Sequence, residues 1–135
     1  MYGIEIWYGI LKTNDDRLFK LKKKSIRAIN CLPYAAHTND YFKSMNLLKI
    51  DDLYKQRVLL FMYNSDVTHI IEPNHNYSTR NAYDLIVPRY NLSRSQRTIF
   101  YKGIILWNNL PDNIKAIRSA NSFKKSIKKL LINEY

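Results

Sequence analysis

The chain has 135 residues, of which 22 are Lys or Arg and 11 are Asp or Glu, so its formal net charge is +11. Hydrophobic residues make up 46% of the chain, which is ordinary for a folded domain and too much for a disordered tail. The longest apolar runs, such as residues 58–63, fall far short of the roughly 20 residues that cross a membrane. The first residues do not resemble a signal peptide, and the single cysteine, Cys31, cannot form an internal disulfide. A secreted, collagenous or membrane protein is therefore not expected.

Positive charge is concentrated at the two ends of the chain. Residues 1–32 hold seven basic and three acidic side chains, and residues 85–135 hold ten basic and two acidic ones. A basic surface raises the local concentration of polyanions and speeds their capture. Charge alone therefore favours RNA or DNA as the partner. The alternatives are lysine-rich helix faces that only keep the domain soluble, and an acidic membrane or protein surface.

The first half of the chain is predicted to be helical after an ambiguous start. Residues 2–10 fit a strand or a buried helix, because apolar residues alternate while nearly every position is apolar. A helix capped by Asp15 or Asp16 follows and ends at Pro33. Its predicted apolar face has spacings of three and four: Leu18, Leu21, Ser25, Ile26, Ile29 and Leu32. The rest of its surface is largely cationic: Lys20, Lys22, Lys23, Lys24 and Arg27.

Two more helices and a loop are predicted in the middle of the chain. The first helix begins at Thr38 or Asn39. The second is capped by Asp51 and runs to about Tyr63, and its second half is apolar on all sides and therefore buried. Residues 64–83 are rich in Asn, Ser, Thr and His, which is typical of a long loop.

The C-terminal part is predicted to contain a short β-hairpin around residues 85–101 and one long helix. Residues 85–87, before Pro88, and residues 98–101 are short enough to be the arms of the hairpin. The last helix, capped by Ser119, Asn121 or Ser122, has an apolar face of Phe123, Ile127, Leu130 and Leu131. The predicted fold is mainly α, a small helical domain or fragment spanning residues 1–135.

The sequence contains no clear pattern for catalysis, a metal or a cofactor. The three glycines are isolated, so no phosphate-binding loop is predicted. The acidic pairs at residues 15–16 and 51–52 suit helix caps better than divalent metal sites. A residual enzyme would need Asp51, Asp52 and a third carboxylate in one pocket. The residues able to bind zinc are too widely spaced for a site: Cys31, His37, His69 and His75.

Cations and aromatic residues alternate between residues 89 and 107. Single-stranded nucleic-acid sites need that mixture, because rings stack on bases while cations neutralise phosphates. The alternative to nucleic-acid contact is that Phe100 and Trp107 are core residues, and this interpretation is preferred for Trp107. For Tyr90 the alternative is a position lining the hairpin. The residues predicted to contact nucleic acid come from both basic ends: Lys22, Lys23, Lys24, Arg27, Arg89, Arg94, Arg97, Lys102, Lys124, Lys125, Lys128 and Lys129.

Short motifs follow one another along the whole chain. The segment Gly103–Pro111 contains a Leu-Trp-Asn-x-Leu-Pro motif at residues 106–111, and the segment Ser122–Leu131 follows it with Phe-Lys-Lys at residues 123–125. These two motifs in order are the most specific part of the pattern. The other segments are Tyr2–Trp7, Leu21–Ile29, Ala36–Thr38, Leu47–Tyr54 and Asn76–Arg80. Their order resembles the C-terminal region of reverse transcriptases from non-LTR (LINE-type, jockey-like) retrotransposons.

The resemblance implies a detached, non-catalytic C-terminal piece of an RNA-directed DNA polymerase that lies downstream of the polymerase core. Such a piece is expected to help hold template RNA or target DNA inside the cell, with the nuclear site of action of the parent family. The family holds two metal ions with an aromatic-x-Asp-Asp motif, which neither acidic pair of this chain matches. The resemblance therefore assigns no catalytic residue. A structural module that packs on the polymerase core and a relic copy without function are the alternatives.

Overall fold

The computed structural model describes residues 3–8, 12–65 and 84–135, and within them it contains helices and no strand. The predicted loop therefore lies almost entirely outside the described residues, together with the Asn76–Arg80 motif. A 3₁₀ turn at Ser95–Arg97 precedes the fifth helix. The mainly α fold class is confirmed. The helices are α1 (Ile4–Trp7), α2 (Lys12–Ile29), α3 (Asn39–Ser44), α4 (Ile50–Asn64), α5 (Ile99–Asn108), α6 (Asp112–Lys115) and α7 (Ala120–Asn133).

Packing divides the chain into two compact units. Unit 1 comprises Met1–Gln56 and Lys125–Tyr135, and unit 2 comprises Arg57–Lys124. Unit 1 contains α1, α2 and α3, and unit 2 contains the 3₁₀ turn, α5 and α6. The division falls within α4 and within α7. Among the described helices, none combines the length and the apolar character that a bilayer crossing requires.

The core of unit 1 is centred on Phe42 of α3, which is completely buried. The ring of Phe19 on α2 stacks on the Phe42 ring with centroids 6.3 Å apart, and the Tyr135 ring meets it edge-on at 6.4 Å. The ammonium group of Lys22 on α2 lies 5.7 Å from the centre of the Phe42 ring. The same ammonium group donates a hydrogen bond to the Leu48 carbonyl. Helices α2 and α3 and the C-terminal residue therefore share one core.

The buried face of α2 differs from the predicted one. Leu21 is 58% exposed and Ile29 is 66% exposed, whereas Ile26 is buried. The side of α2 that packs inward carries Phe19, Lys22 and Ile26. The prediction was wrong because the apolar stem of a lysine occupies a position on the buried face, where its charge still finds a hydrogen-bond acceptor.

Helices α3, α4 and α7 begin within a residue or two of their predicted starts, whereas α2 begins at Lys12, three or four residues before its predicted caps Asp15 and Asp16. Thr38 is the N-cap of α3, and the Phe123 amide donates to the carbonyl of Ser119 at the start of α7. The Asp51–Asp52 pair lies in the first turn of α4, and Asp15 lies in the first turn of α2. Asp15 and Asp51 were predicted as caps and instead lie inside the first turn of their helices, where a carboxylate still interacts favourably with the positive end of the helix dipole.

Residues 85–101 do not form the predicted β-hairpin. Residues 85–90 have no regular secondary structure, and residues 99–101 are the first turn of α5. Thr98 precedes this helix as its N-cap, and its hydroxyl donates to the Ser95 carbonyl over 2.7 Å. The prediction was wrong because a short apolar run fits a strand and a buried helix equally well. The length of the apolar run, which continues to Trp107, favours the helix.

The core of unit 2 forms where α5 approaches α4. Met62, Leu85 and Ile104 are buried together, and Trp107 packs against them. Gly103 permits the close approach, because a Cβ atom at this position would lie 2.6 Å from Sδ of Met62. No carbon atom can be accommodated at that distance unless the buried Met62 side chain moves.

We expect Gly103→Ala to lower the free energy of unfolding by about 1–3 kcal/mol, the usual cost of overpacking. The better helix propensity of Ala, worth about 1 kcal/mol, offsets only part of the clash. Urea unfolding followed by far-UV circular dichroism measures the effect. In a Met62→Ala background the loss should shrink, because the clashing sulfur is gone. An equal loss in both backgrounds would contradict the proposed contact.

Candidate nucleic-acid interface

A groove of about 660 Å³ runs along α2 in unit 1, and we call it the α2 groove. Five of the side chains that line it are cations, and none of its described lining residues is acidic. The two remaining side chains supply an aromatic ring and an aliphatic group. The lining residues are Arg17, Lys20, Leu21, Lys23, Lys24, Arg27 and Tyr34.

The helical repeat of α2 places the cations of the α2 groove together. Arg17, Lys20, Lys24 and Arg27 follow one another at spacings of three, four and three residues, which puts them on one side of the helix. Like charges at these spacings destabilise a helix by about 0.2–0.5 kcal/mol per pair. Helix stability therefore does not explain the arrangement. A bound anion would relieve the repulsion.

The turn after α2 forms the other wall of the α2 groove, and Arg27 holds it in place. Nε and Nη2 of Arg27 both donate to the Ala36 carbonyl over 3.1 Å. The guanidinium carbon lies 5.7 Å from the centre of the Tyr34 ring, and the Tyr34 side chain is 81% exposed. Cys31 adopts a left-handed conformation with φ 50°, which lets the chain reverse after the helix. The groove thus presents an aromatic face beside a fixed cation.

Three of the four α2 residues predicted to bind nucleic acid line the α2 groove, and Lys22 does not. The Lys22 ammonium group points into the core of unit 1, where burial lowers the pKa of the amine. The ammonium group of Lys23 lies 4.3 Å from the centre of the Phe19 ring, while Lys24 and Arg27 complete the cationic wall. Lys22 is thus half-buried and held by the Leu48 carbonyl, whereas the sequence analysis treated every lysine in the run as solvated.

Arg17 and Lys20 were not among the predicted nucleic-acid contacts, although both line the α2 groove. Their spacing to Lys24 and Arg27 is the signal that identifies them, since it continues the same stripe toward the start of the helix. Tyr34 was also missed. Its position in a turn has no periodic pattern, and only the hydrogen bonds from Arg27 to Ala36 bring it beside the helix.

Unit 2 carries the second group of predicted contacts. The Tyr90 and Tyr101 rings lie 5.8 Å apart, and Gln96 holds the turn by donating to the Tyr90 carbonyl over 2.8 Å. The Phe100 ring is partly exposed and meets Phe61 edge-on. The predicted mixture of cations and accessible rings is present, on a turn and a helix instead of a hairpin. Its cations are the exposed Arg89, Arg94 and Arg97 and the half-buried Lys102.

The Leu-Trp-Asn-x-Leu-Pro motif has a structural role in unit 2. Trp107 packs on the core cluster, and its ring lies 5.9 Å from that of Phe123. The Asn108 amide donates to the Leu85 carbonyl over 2.9 Å and accepts a hydrogen bond from the Leu85 amide over 3.0 Å. Leu110 is buried. The interpretation of Trp107 as a core residue is confirmed.

The third group of predicted contacts lies on one face of α7. Of the predicted apolar face, Phe123, Ile127 and Leu131 are buried and Leu130 is half-buried, while Ile132, which was not predicted, is also buried. A cationic face of this kind can touch phosphates without any further structure. Its lysines are the exposed Lys124, Lys125 and Lys129 and the half-buried Lys128.

The Asp51–Asp52 pair makes contacts within unit 1. The Tyr8 hydroxyl donates to Asp51, and the Tyr8 ring stacks on that of Tyr54 at 4.5 Å. Asp52 is buried and forms an ion pair with Lys55 at 3.0 Å. Within residues 3–8, 12–65 and 84–135, no three His, Cys, Asp or Glu side chains gather where they could hold a metal ion. Two of the residues considered for zinc lie outside these ranges, His69 and His75.

Comparison with known proteins assigns no family to the chain. No protein-family model, curated protein or solved structure matches it. The function is therefore judged from the geometry of the two units and from the charge they carry.

We expect Asn108→Ala to lower the free energy of unfolding by about 1–3 kcal/mol, because the amide and carbonyl of the buried Leu85 lose their partners. The exposed neighbour Asn109 provides the control. Asn109→Ala should change the free energy by less than about 0.5 kcal/mol. Urea unfolding of the three proteins measures both values, and equal losses would contradict the role of Asn108.

We expect the stability of the chain to fall as the pH rises above about 10, partly because of Tyr8. Burial and the neighbouring Asp51 carboxylate raise the pKa of Tyr8 above its ordinary value of 10.0. The unfolded chain releases this proton at a pH where the folded chain retains it, so unfolding becomes easier with rising pH. Tyr8→Phe should make the free energy of unfolding fall less steeply with pH above 10. An unchanged slope in urea unfolding would contradict this role of Tyr8.

Proposed function

We propose that this chain binds nucleic acid without carrying out a catalytic step, as the C-terminal part of a non-LTR retrotransposon RNA-directed DNA polymerase. The observation that supports binding is the α2 groove, in which five cations line one cavity without an acidic neighbour among the described lining residues. In the parent protein the partners would be template RNA or target DNA, and the polymerase core that precedes this region. The proposal of origin rests on the order of the sequence motifs.

The physics of binding follows from the charges of the α2 groove. Cations that neutralise phosphates release condensed counterions, so the affinity falls as salt is added. Phosphates are the same for every sequence, and contacts to them carry no sequence information. Binding through this surface is therefore expected to be strongly salt-dependent and tolerant of sequence.

The roles of the motif residues agree with a non-catalytic module. Gly103 allows the approach of α5 to α4, Trp107 packs in the core, and Asn108 holds Leu85. In unit 2 these motif residues stabilise the packing of the helices. The resemblance to reverse transcriptases thus concerns residues that build the fold, which supports a shared architecture and assigns no chemistry.

Exposed apolar side chains in unit 2 favour a second candidate function, packing against another protein. Ile86, Leu92 and Phe100 are each about half exposed or more. An apolar surface of this kind suits a protein interface. In the parent protein the polymerase core would be the partner, and unit 2 would then be a structural module.

Salt titration of RNA binding tests the proposed function. We expect the affinity of the chain for a fluorescein-labelled single-stranded RNA to fall with salt, with a log–log slope of about −3.5 if all five groove cations contact phosphate. Fluorescence anisotropy measures the affinity at each salt concentration. Affinity that does not change with salt, or nucleotide incorporation by the isolated chain on a primed template, would contradict the proposal.

A charge reversal within the α2 groove gives the matched variant. Lys24→Glu should weaken RNA binding by about tenfold. It should also make the log–log slope of affinity against salt shallower by the amount that about one or two phosphate contacts contribute. Lys43→Glu makes the same change of charge at an exposed position of α3 outside the groove. It should leave most of the affinity intact. Equal losses in the two variants would mean that only the total charge matters and would remove the groove from the proposal.

A further inference from the structure

The α2 groove has features that electrostatic attraction alone does not require. The Tyr34 ring is 81% exposed, and Leu21 on the facing helix is 58% exposed. An aromatic ring and an aliphatic side chain within a cluster of cations must remain hydrated when no ligand is bound, which is unfavourable. A polyphosphate or a bare anion would use the cations and leave these two side chains in water. The groove therefore suits a ligand with both phosphates and a flat apolar face.

We propose that the α2 groove binds a short single-stranded segment of nucleic acid, with one base stacked on Tyr34 and the adjacent phosphates on Arg17, Lys20 and Lys24. This inference rests on the proposed function and specifies the form of the strand and the residue that recognises it. Base–aromatic stacking tolerates any sequence, since every base has a π-face. The groove would thus distinguish unpaired from paired strands without reading sequence.

The dimensions of the α2 groove fit a ligand of this size. Arg17 and Arg27 are ten residues apart on one helix, which corresponds to about 15 Å along its axis. The volume of about 660 Å³ lies within the roughly 300–1,000 Å³ of pockets that enclose small ligands. A space of this volume is of the size that one or two nucleotides occupy.

Arg27 preorganises the stacking position. Two of its five N–H donors bind the Ala36 carbonyl, so the turn that carries Tyr34 is already fixed before a ligand arrives. The remaining donors are available to a phosphate oxygen. Because the turn is held in advance, little ordering entropy opposes binding. The Tyr34 ring, 5.7 Å from the guanidinium carbon, is then a defined platform at the end of the cationic stripe.

A duplex uses the α2 groove only in part. Each base in a duplex is stacked between its neighbours, so the Tyr34 ring cannot stack on it. A duplex therefore contacts the cations of the groove through its phosphates alone. An anionic lipid surface likewise offers phosphates without a base to stack. Tyr34 thus contributes to the affinity for unpaired strands and not to that for the other two ligands.

The experiment compares three ligands with the full chain and its variants. The ligands are a labelled oligouridine, a labelled RNA duplex of the same number of phosphates, and vesicles of phosphatidylserine and phosphatidylcholine. The variants are Tyr34→Ala, Tyr34→Phe and Tyr90→Ala, the last removing a partly exposed ring in unit 2. Because the Tyr34 side chain is mostly exposed, Tyr34→Ala should fold normally, which circular dichroism checks. Fluorescence anisotropy gives the affinities for the two RNAs, and sedimentation gives those for the vesicles.

We expect Tyr34→Ala to weaken oligouridine binding by about tenfold with little change in its salt dependence, and to leave duplex binding unchanged. Tyr34→Phe keeps the ring and should bind oligouridine as the parent chain does. Tyr90→Ala should have little effect. This pattern would support stacking on Tyr34 within the α2 groove.

The other outcomes separate this inference from the proposed function. Salt-dependent RNA binding that Tyr34→Ala leaves intact, or that it weakens equally for duplex and oligouridine, would overturn the inference and leave the proposed function standing. A loss confined to Tyr90→Ala would do the same and would assign stacking to unit 2. Tighter binding to vesicles than to oligouridine would assign the α2 groove to anionic lipid and overturn the inference. Failure to bind either RNA in dilute buffer would overturn both proposals.

Discussion

The inward-pointing charge of Lys22 sets the rotation of α2 about its axis. Its ammonium group donates to the Leu48 carbonyl and lies against the Phe42 ring, and Ile26 is buried one turn further along. Because Lys22 and Ile26 lie on the side of α2 that packs inward, the opposite side carries the cations that line the groove. Arg17 and Lys24 therefore face the α2 groove together. One half-buried lysine, whose charge is partly desolvated, thus determines which side of α2 presents the other cations.

In each unit, most of the residues proposed to bind nucleic acid are different from those that stabilise the fold. In unit 2 the motif residues Gly103, Trp107 and Asn108 are engaged with the core or the backbone, whereas the arginines between residues 89 and 97 remain exposed. In unit 1 the aromatic core around Phe42 is separate from the exposed ring of Tyr34. Substitutions of the exposed arginines or of Tyr34 should therefore change ligand affinity without unfolding the chain, so both proposals can be tested by mutation.

A cap and a periodic apolar face identify the existence of α2 and α7 from the sequence, although the start and the buried face of α2 differ from the prediction. Helix α7 is the clearest case, because Ser119 marks its start and Phe123 and Ile127 mark its buried face. Residues 85–101 were predicted wrongly, since a run of four or five apolar residues has no period long enough to distinguish a strand from a helix. The apolar positions that continue to Trp107 and the packing of α5 on α4 favour the helix.

The candidate site was only partly predictable for a related reason. The lysine-rich stretch identified α2, but charge alone did not show which lysine turns inward, because a lysine stem is apolar along most of its length. Tyr34 lies in a turn, where no periodicity applies. Its place beside the helix depends on the contact between Arg27 and Ala36, nine residues apart in the chain.

Arg27 gives the α2 groove a vulnerability that its other cations do not share. The same guanidinium group fixes the turn and supplies charge to the groove. Replacing Arg27 by an uncharged residue therefore changes both the shape of the groove and its positive charge. A lysine there would keep the charge but lacks the planar fork that reaches the Ala36 carbonyl with two nitrogens. A conservative Arg27→Lys exchange would therefore free the turn that carries Tyr34, and the α2 groove would keep its positive charge but lose its fixed aromatic wall.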